Sequence, residues 1–197
     1  MELFFDTETS GFMTKRLHYA AWNNAWAVQL AMILSDRDHI LGEFSVIIQS
    51  RGRSINPMAE KVHGISVKVS DQGLKESAVG EMYKALIMDK DFTFVCHNIA
   101  FDIPFLRGLL YRVFGEESYE MTNFPQLCTM TTSADLCKLP FPSGRSWGSQ
   151  KYKWPKLEEL HKVLFGNVFE NAHDALADVR ATRRCFYELI DRGIIKT

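Results

Sequence analysis

Asp6 and Glu8 stand two residues apart at the end of an apolar run, Leu3 to Phe5, close to the start of a 197-residue chain. The run reads as a buried strand, and side chains two apart on a strand share a face, so the two carboxylates would enter one small volume together. Like charges held that close raise each other's pKa and cost stability until a proton or a cation comes between them. Hard divalent ions such as Mg²⁺ or Mn²⁺ prefer carboxylate oxygens, so ion binding is the chemistry this pair could do. Thr9-Ser10-Gly11 is then expected to turn the chain sharply and leave backbone N–H groups near the acids. Taken alone, an Asp-x-Glu is more often a solvated strand end, and the weight falls on the rest of the chain.

Three further residues sit where a strand ends or a helix begins, the end of an open α/β sheet at which ligands bind. Asp102 follows an apolar run, Phe92 to Cys96, and the polar pair His97-Asn98; the periodicity predicts a helix over Ile99 to Phe114. Pro104 is tolerable only in a first turn, which places Asp102 at or near the helix N-terminus. His173 precedes Asp178 by five residues, about 140° apart on one helix at roughly 3.6 residues per turn. The economical arrangement puts His173 on a loop, Asp174 at the helix cap and Asp178 in the first turn, so that His173 can swing over the ion site while Asp178 holds it. Singly, Asp178 reads equally as an acid complementing a helix dipole and His173 as a surface histidine before a cap.

The elements that must position these groups follow in order. Leu3 to Asp6, Trp26 to Leu34 and Ile40 to Ile48 are apolar runs, the last two separated by Ser35-Asp36-Arg37-Asp38, which predicts three strands, two of them a hairpin. Met58 to Ser66 predicts a short helix stopped by Gly64, Ser66 to Asp71 a connector, and Leu74 to Met88 a longer helix. Leu127-Cys128-Thr129 predicts a last strand and Thr132 to Leu136 a helix. Leu157 to Leu164 and Ala175 to Ile190 predict the closing helices, the final one burying Leu176, Val179, Phe186 and Leu189. Two loops mix basic and aromatic residues: Phe12 to Asn24, with Lys15, Arg16, His18, Tyr19 and Trp22, and the breaker-rich 140–155. The second carries Pro140, Pro142, Gly144, Gly148 and Pro155, with Arg145, Lys151 and Lys153 among Phe141, Trp147, Tyr152 and Trp154. Such loops could grip a single nucleic-acid strand by phosphate contact and base stacking; packing onto the sheet, or plain solvation, describes them as well.

Composition narrows the classes. With 46% hydrophobic and 24% charged residues the chain is of ordinary globular make-up, long enough for one well-buried α/β domain, 1–197, and short for two. A formal net charge of −1 argues against a protein that coats nucleic acid and leaves room for a short, local contact. Cys96, Cys128, Cys137 and Cys185 form neither a Cys-x-x-Cys pair nor zinc spacing with the six histidines, and read as small buried hydrophobes of a reducing compartment. The early acids Glu2, Asp6 and Glu8 speak against a signal or transit peptide, and no apolar run nears the roughly 18 residues that span a membrane. A cytoplasmic address and no membrane partner are the expectation.

Phe5-Asp6-Thr7-Glu8-Thr9-Ser10-Gly11, His97-Asn98-Ile99-Ala100-Phe101-Asp102 and His173-Asp174-Ala175-Leu176-Ala177-Asp178 together resemble the three motifs of the DEDD 3′–5′ exonuclease superfamily, the third in its histidine variant. The intervening chain is similar to the branch of the polymerase III ε proofreading subunit: Val62-His63-Gly64-Ile65 stands where that branch has the same stretch, and Leu157 and Leu160 followed by Phe165-Gly166 match its segment before the third motif. The resemblance runs from Leu3 to about Ile194, and three motifs in order are far more specific than one.

The resemblance implies a ribonuclease H-like α/β fold, a mixed five-stranded sheet flanked by helices, and metal-dependent hydrolysis that releases nucleoside monophosphates from a nucleic-acid 3′ end, with single-stranded DNA favoured and RNA trimming the alternative. It implies that Asp6, Glu8, Asp102 and Asp178 hold two divalent ions, Mg²⁺ or Mn²⁺, and that His173 is the general base. Two ions about 3.5–4 Å apart make a nucleophile from water and stabilise both the attacking and the leaving oxygen, and an imidazole that titrates near neutrality can take the water's proton. Thr7 and Thr9, through nearby backbone, and the Asn98 side chain are implied to seat the terminal nucleotide. His63 and Phe12 are candidates for stacking or wedging by position, with core packing an equal account of Phe12. The ε subunit carries a tail that ties it to its polymerase, and this sequence ends about where the catalytic domain should; the expectation is a free-standing enzyme, bacterial or phage-borne. An idle binding domain would be expected to have lost a metal ligand, and none is lost.

Overall fold

The computed structural model describes residues 1–142 and 150–196. In chain order the elements are β1 (Glu2–Thr9), β2 (Ala27–Ser35), β3 (Ile40–Ile47), α1 (Pro57–His63), α2 (Val67–Ser70), α3 (Glu76–Ile87), β4 (Thr93–Cys96), α4 (Ile99–Phe114), α5 (Ser118–Met121), β5 (Gln126–Cys128), α6 (Thr129–Thr132), α7 (Ala134–Cys137), α8 (Leu157–Phe165) and α9 (Ala175–Asp191). Among the described residues the strands form one sheet in the order β3-β2-β1-β4-β5. The predicted hairpin is present, β1 and β3 both running antiparallel to β2, while β4 and β5 run parallel to β1. The expected mixed five-stranded sheet is therefore the observed one.

β1 lies in the middle, and its alternation feeds two cores. Leu3 and Phe5 pack with Val79 and Tyr83 of α3 and with Phe105, Leu106 and Leu109 of α4. Phe4 faces the other way, into Leu160 of α8 and Val179, Phe186 and Leu189 of α9. Burying one such side chain contributes about 1.5–3 kcal/mol, so the central strand is held from both sides. Asp6 and Glu8 continue the face of Phe4 and point toward the layer of α9, while Thr7 continues the face of Phe5 toward that of α4. The sheet itself thus delivers the acids to the place where both helical layers begin.

Four expectations are corrected. β1 does not end near Asp6 but runs through Thr9, because Thr7, Glu8 and Thr9 still pair with Leu30, Gln29 and Ala27 of β2, with a register shift only between Glu8 and Thr9. The connector after Ser66 contains the single-turn α2, whose cap is Ser66 itself, accepting from the Val69 amide. Pro104 lies inside α4, beyond its first turn. Its ring removes the bond to the Ala100 carbonyl, and Ala100 is exposed, where water can replace that donor. The predicted helix over Thr132 to Leu136 is two single turns, α6 and α7, hinged at Ser133, whose hydroxyl donates to the Thr129 carbonyl. No described helix is long and apolar enough to cross a membrane.

Part of the loop between β1 and β2 packs onto the body of the protein, while Phe12 at its start stays exposed. His18 and Tyr19 lie 5.0 and 6.0 Å from the ring of Tyr111 on α4. Trp22 lies under Arg53, which also stacks at 4.1 Å on Trp26 and pairs with the buried Glu76 at 3.0 Å; Arg112 closes on the same carboxylate at 2.8 Å. Burial opposes the charge on Glu76, yet Arg112 and then Arg53 hold its carboxyl below the usual value. This triad ties the loop to α3 and α4.

α1 is built for precision at a short length. Asn56 caps it by accepting from the Met58 amide at 2.8 Å, Pro57 opens it, and Gly64 ends it at φ 74, a left-handed conformation that favours glycine. The Asn56 amide in turn donates to the Ser10 carbonyl at 2.9 Å, fastening α1 to the end of β1. Asn56→Ala is expected to cost about 1 kcal/mol in urea denaturation, the usual value of a lost helix cap.

Candidate active site

The acids converge from three directions. Asp6 and Glu8 come from β1. Asp102 comes from the first turn of α4, directly after the parallel neighbour β4. Both the amide and the hydroxyl of Thr7 donate to Asp102 Oδ1, at 3.2 and 2.7 Å, and the Cys96 thiol donates to Oδ2 at 3.3 Å. Asp178 comes from the first turn of α9. As expected, Asp174 caps that helix, accepting from the Ala177 amide at 3.0 Å. His173 lies on the loop before it at φ 71, and the link to Asp178 is made by the His173 backbone amide, which donates to Oδ2 at 3.2 Å and leaves the ring free of that task. Donor atoms of Glu8, His173 and Asp178 lie within 4.8 Å of one another, and so do those of Asp6, Cys96 and Asp102.

Electrostatics make this a site in want of positive charge. Burial, then Asp102, Asp178 and Glu8, push Asp6 well above the usual carboxylate range. Burial and the charges of Asp178 and Asp102 push Glu8 up to about 8. Burial raises Asp102 to about 7 against the hydrogen bonds from Thr7 and Cys96, and raises Asp178 to about 6 against the His173 amide. Burial, with Asp102 and Asp6, pushes the Cys96 thiol up as well. Among the described residues no lysine or arginine pairs with any of the four carboxylates. Glu8 is 8% exposed, and none of the hydrogen bonds among the described residues involves its carboxylate. Oxygen donors crowded without a counter-charge fit hard divalent cations.

Two clefts meet at Glu8 and Phe101. The larger, about 840 Å³, runs over all four acids and His173 and is walled by Lys153, Trp154 and Lys156. The smaller, about 530 Å³, is mostly apolar and lies against Phe12, Met58, Val62 and His63. Of the residues singled out beside the acids, Thr7 is buried with both donors committed to Asp102, and Thr9 is buried with its hydroxyl on the Gly11 carbonyl. Asn98 sits at φ 74 at the start of α4, makes no capping bond and lines the larger cleft. His63 accepts from the Ile65 amide at Nδ1, so its Nε2 carries the proton and donates to the Thr9 carbonyl at 3.2 Å; burial lowers its pKa. Phe12 is 88% exposed, edge-on to Phe101 at 6.0 Å, and packing into the core does not account for it.

Sequence reasoning passed over three contributors. Cys96 is buried as expected of a small hydrophobe, but its thiol bonds an acid of the site. His97 is wedged between the Thr129 hydroxyl and the Pro155 carbonyl, each at 3.0 Å, and burial holds it down at about 4. Because a carbonyl only accepts, Nε2 carries the proton, and the neutral ring fastens the wall of the larger cleft to the end of β4. Phe101 divides the clefts. Both His97 and Phe101 lay within the quoted motif, a signal that was available. Of the basic and aromatic loop, Lys153 pairs with Glu159 at 2.7 Å at the wall, while Gly144, Arg145, Trp147 and Gly148 lie outside the described residues.

Comparison with known proteins places this arrangement. The Exonuclease (RNase_T) family model matches residues 3–186. The 3′–5′ exonuclease DinG of Bacillus subtilis (strain 168) is 25% identical over 187 residues, 95% of this chain and 17% of its own length. E. coli exonuclease I in complex with a dA16 oligonucleotide has the same fold, with a TM-score of 0.73 at 22% identity. The moderately thermophilic exonuclease I of Methylocaldum szegediense gives 0.71 at 25%. Each structural pairing covers 97% of this chain and 40% of the other, so the chain spans about two fifths of those proteins and a smaller part of DinG.

Proposed function

The chain belongs to the Exonuclease (RNase_T) family, and on that ground we propose that it removes nucleotides from DNA 3′ ends by metal-assisted hydrolysis, as a histidine-variant DEDD enzyme working within one domain, 1–197. The observation that carries the reading is the convergence of Asp6, Glu8, Asp102, Asp178 and His173 on the larger cleft, which meets the smaller one at Glu8. Asp6, Glu8, Asp102 and Asp178 would hold the ions. Bound there, divalent cations neutralise the carboxylates, acidify a water and stabilise charge on the phosphoryl oxygens.

The chain's own groups do the rest. Thr7 and Cys96 fix both oxygens of Asp102, so that this acid enters the site in one orientation. The His173 ring, exposed at the cleft, takes the attacking water's proton on an imidazole nitrogen. The water oxygen bonds to phosphorus, the bond to the 3′ oxygen of the preceding nucleotide breaks, and that oxygen picks up a proton to leave as a hydroxyl. The terminal base would occupy the smaller, apolar cleft between Phe12 and His63, while the strand enters along Lys153, Trp154 and Lys156. The oligonucleotide carried by the E. coli relative supports DNA as the preferred strand.

The test is cleavage of 5′-labelled single-stranded DNA and matched RNA with Mg²⁺, Mn²⁺ or chelator, beside Asp6→Ala. A ladder shortening from the 3′ end, dependent on metal, faster on DNA and absent in the variant, is expected; faster cleavage of RNA would reverse the substrate, and no cleavage of either would remove the activity. Phe12→Ala is expected to raise KM about fivefold, roughly 1 kcal/mol of lost stacking, with no change in melting temperature because the ring is exposed.

A further inference from the structure

The ligands expected of this site are all oxygen, yet it holds a sulfur. Cys96 ends β4 with 0% exposure, and its Sγ lies 3.3 Å from Asp102 Oδ2. Asp6, Cys96 and Asp102 each bring a donor atom within 4.8 Å of the other two. The other Asp102 oxygen is committed to the amide and hydroxyl of Thr7, which leaves Oδ2 beside the thiol. On a tetrahedral ion with sulfur at about 2.3 Å and oxygen at about 2.0–2.2 Å, neighbouring ligands stand roughly 3.5 Å apart. The Cys96–Asp102 separation is already close to that edge. No hydrogen bond among the described residues involves the Asp6 carboxylate, which is therefore available as a third donor.

We propose that Asp6, Asp102 and Cys96 form a binding site for a thiophilic divalent cation of the Zn²⁺ or Cd²⁺ kind, superimposed on the carboxylate site that the exonuclease reading assigns to Mg²⁺ or Mn²⁺. The inference rests on that reading for the carboxylates and adds the sulfur. Hard ions take oxygen and leave the thiol as an S–H donor to Asp102. A softer ion takes the sulfur as well; the S–H proton passes to solvent as the sulfur–metal bond forms. The two kinds of ion share Asp6 and Asp102, so they compete, and Cys96 sets which of them the pocket keeps.

Cadmium titration of the full purified chain reads this directly, because a Cd–thiolate bond adds a charge-transfer absorption in the ultraviolet. Wild type is expected to develop a saturable band that Cys96→Ser lacks. Cys128→Ser, which alters the half-buried cysteine paired with Cys96 across β4 and β5, is expected to keep it. Asp6→Asn is expected to weaken Cd²⁺ binding at least about tenfold. Mn²⁺ is expected to raise the melting temperature of wild type and of Cys96→Ser alike, which shows that the serine variant folds and still holds an ion. A Mn²⁺ response in both, with the cadmium band missing from wild type or unchanged in Cys96→Ser, overturns the role of the thiol and leaves the carboxylate site standing. No response of wild type to either ion overturns both.

Discussion

His173→Asn is expected to lower kcat by about 10²–10⁴-fold, the usual contribution of a general base, with KM nearly unchanged. Asparagine is the informative replacement because His173 occupies φ 71, and asparagine tolerates the left-handed region where alanine would add strain. The bond from this residue to Asp178 uses the backbone amide and survives the substitution, so the four carboxylates stay where they are. Stabilisation by Mn²⁺ should therefore persist while turnover collapses. The limb of the pH–rate profile that reports the base should vanish with it. A loss of less than tenfold, with that limb intact, would take the proton-transfer role away from His173.

Much of this geometry is written locally. The two-residue spacing of Asp6 and Glu8 dictates a shared face in any strand, and the Asp174 cap follows from the side chain alone. Other features depend on partners far away in sequence. The apolar run stops before Thr7 and the turn is expected from Thr9, yet Thr7-Glu8-Thr9 remains strand because β2 supplies a ladder on one side, a fact that no window around residue 7 contains. Thr7 meets Asp102 across 95 positions, and both its amide and its hydroxyl donate there. Cys96 fits the pattern of a buried hydrophobe and is one; the acid six residues on swings beside it only after α4 has turned. For Phe12 the sequence left stacking and core packing equal, and the structure decides between them: the ring stands almost wholly in solvent, just after Gly11 at φ 143.

Freed of divalent ions, the folded chain is expected to lose stability as pH rises from about 6.5 to about 8. Burial first, and then neighbouring acids, hold Glu8 at about 8; burial holds Asp102 at about 7 and Asp178 at about 6. In the unfolded chain such groups release their protons near 4. Between those values the native state keeps protons that the unfolded state has given up, so the unfolding free energy falls with rising pH. His97 and His63 act in the opposite sense. Burial pushes both down, so below about 6.5 the unfolded chain binds protons that the native state refuses, and stability there rises with pH. The opposing slopes overlap through the unfolded histidine titration at about 6.5; above it the carboxylates dominate, joined toward pH 8 by the buried thiols of Cys96, Cys137 and Cys185, whose upward shifts act in the same direction. Glu8 by itself accounts for roughly 2 kcal/mol across that interval. Mn²⁺ should reverse the trend, because ion and proton compete for the same oxygens: at a hundredfold excess over Kd it adds about 2.7 kcal/mol, and more of it is realised at the higher pH. Glu8→Gln removes the charge without the ion, so the metal-free variant should melt higher than wild type at pH 8, with a shallower slope, and lose most of its response to Mn²⁺. Thermal melts at pH 6.5 and 8, with and without Mn²⁺, check all of this. A metal-free melting temperature that stays flat or rises over the interval would mean that Glu8 and Asp102 do not share a confined volume, and the crowding on which ion binding depends would be gone.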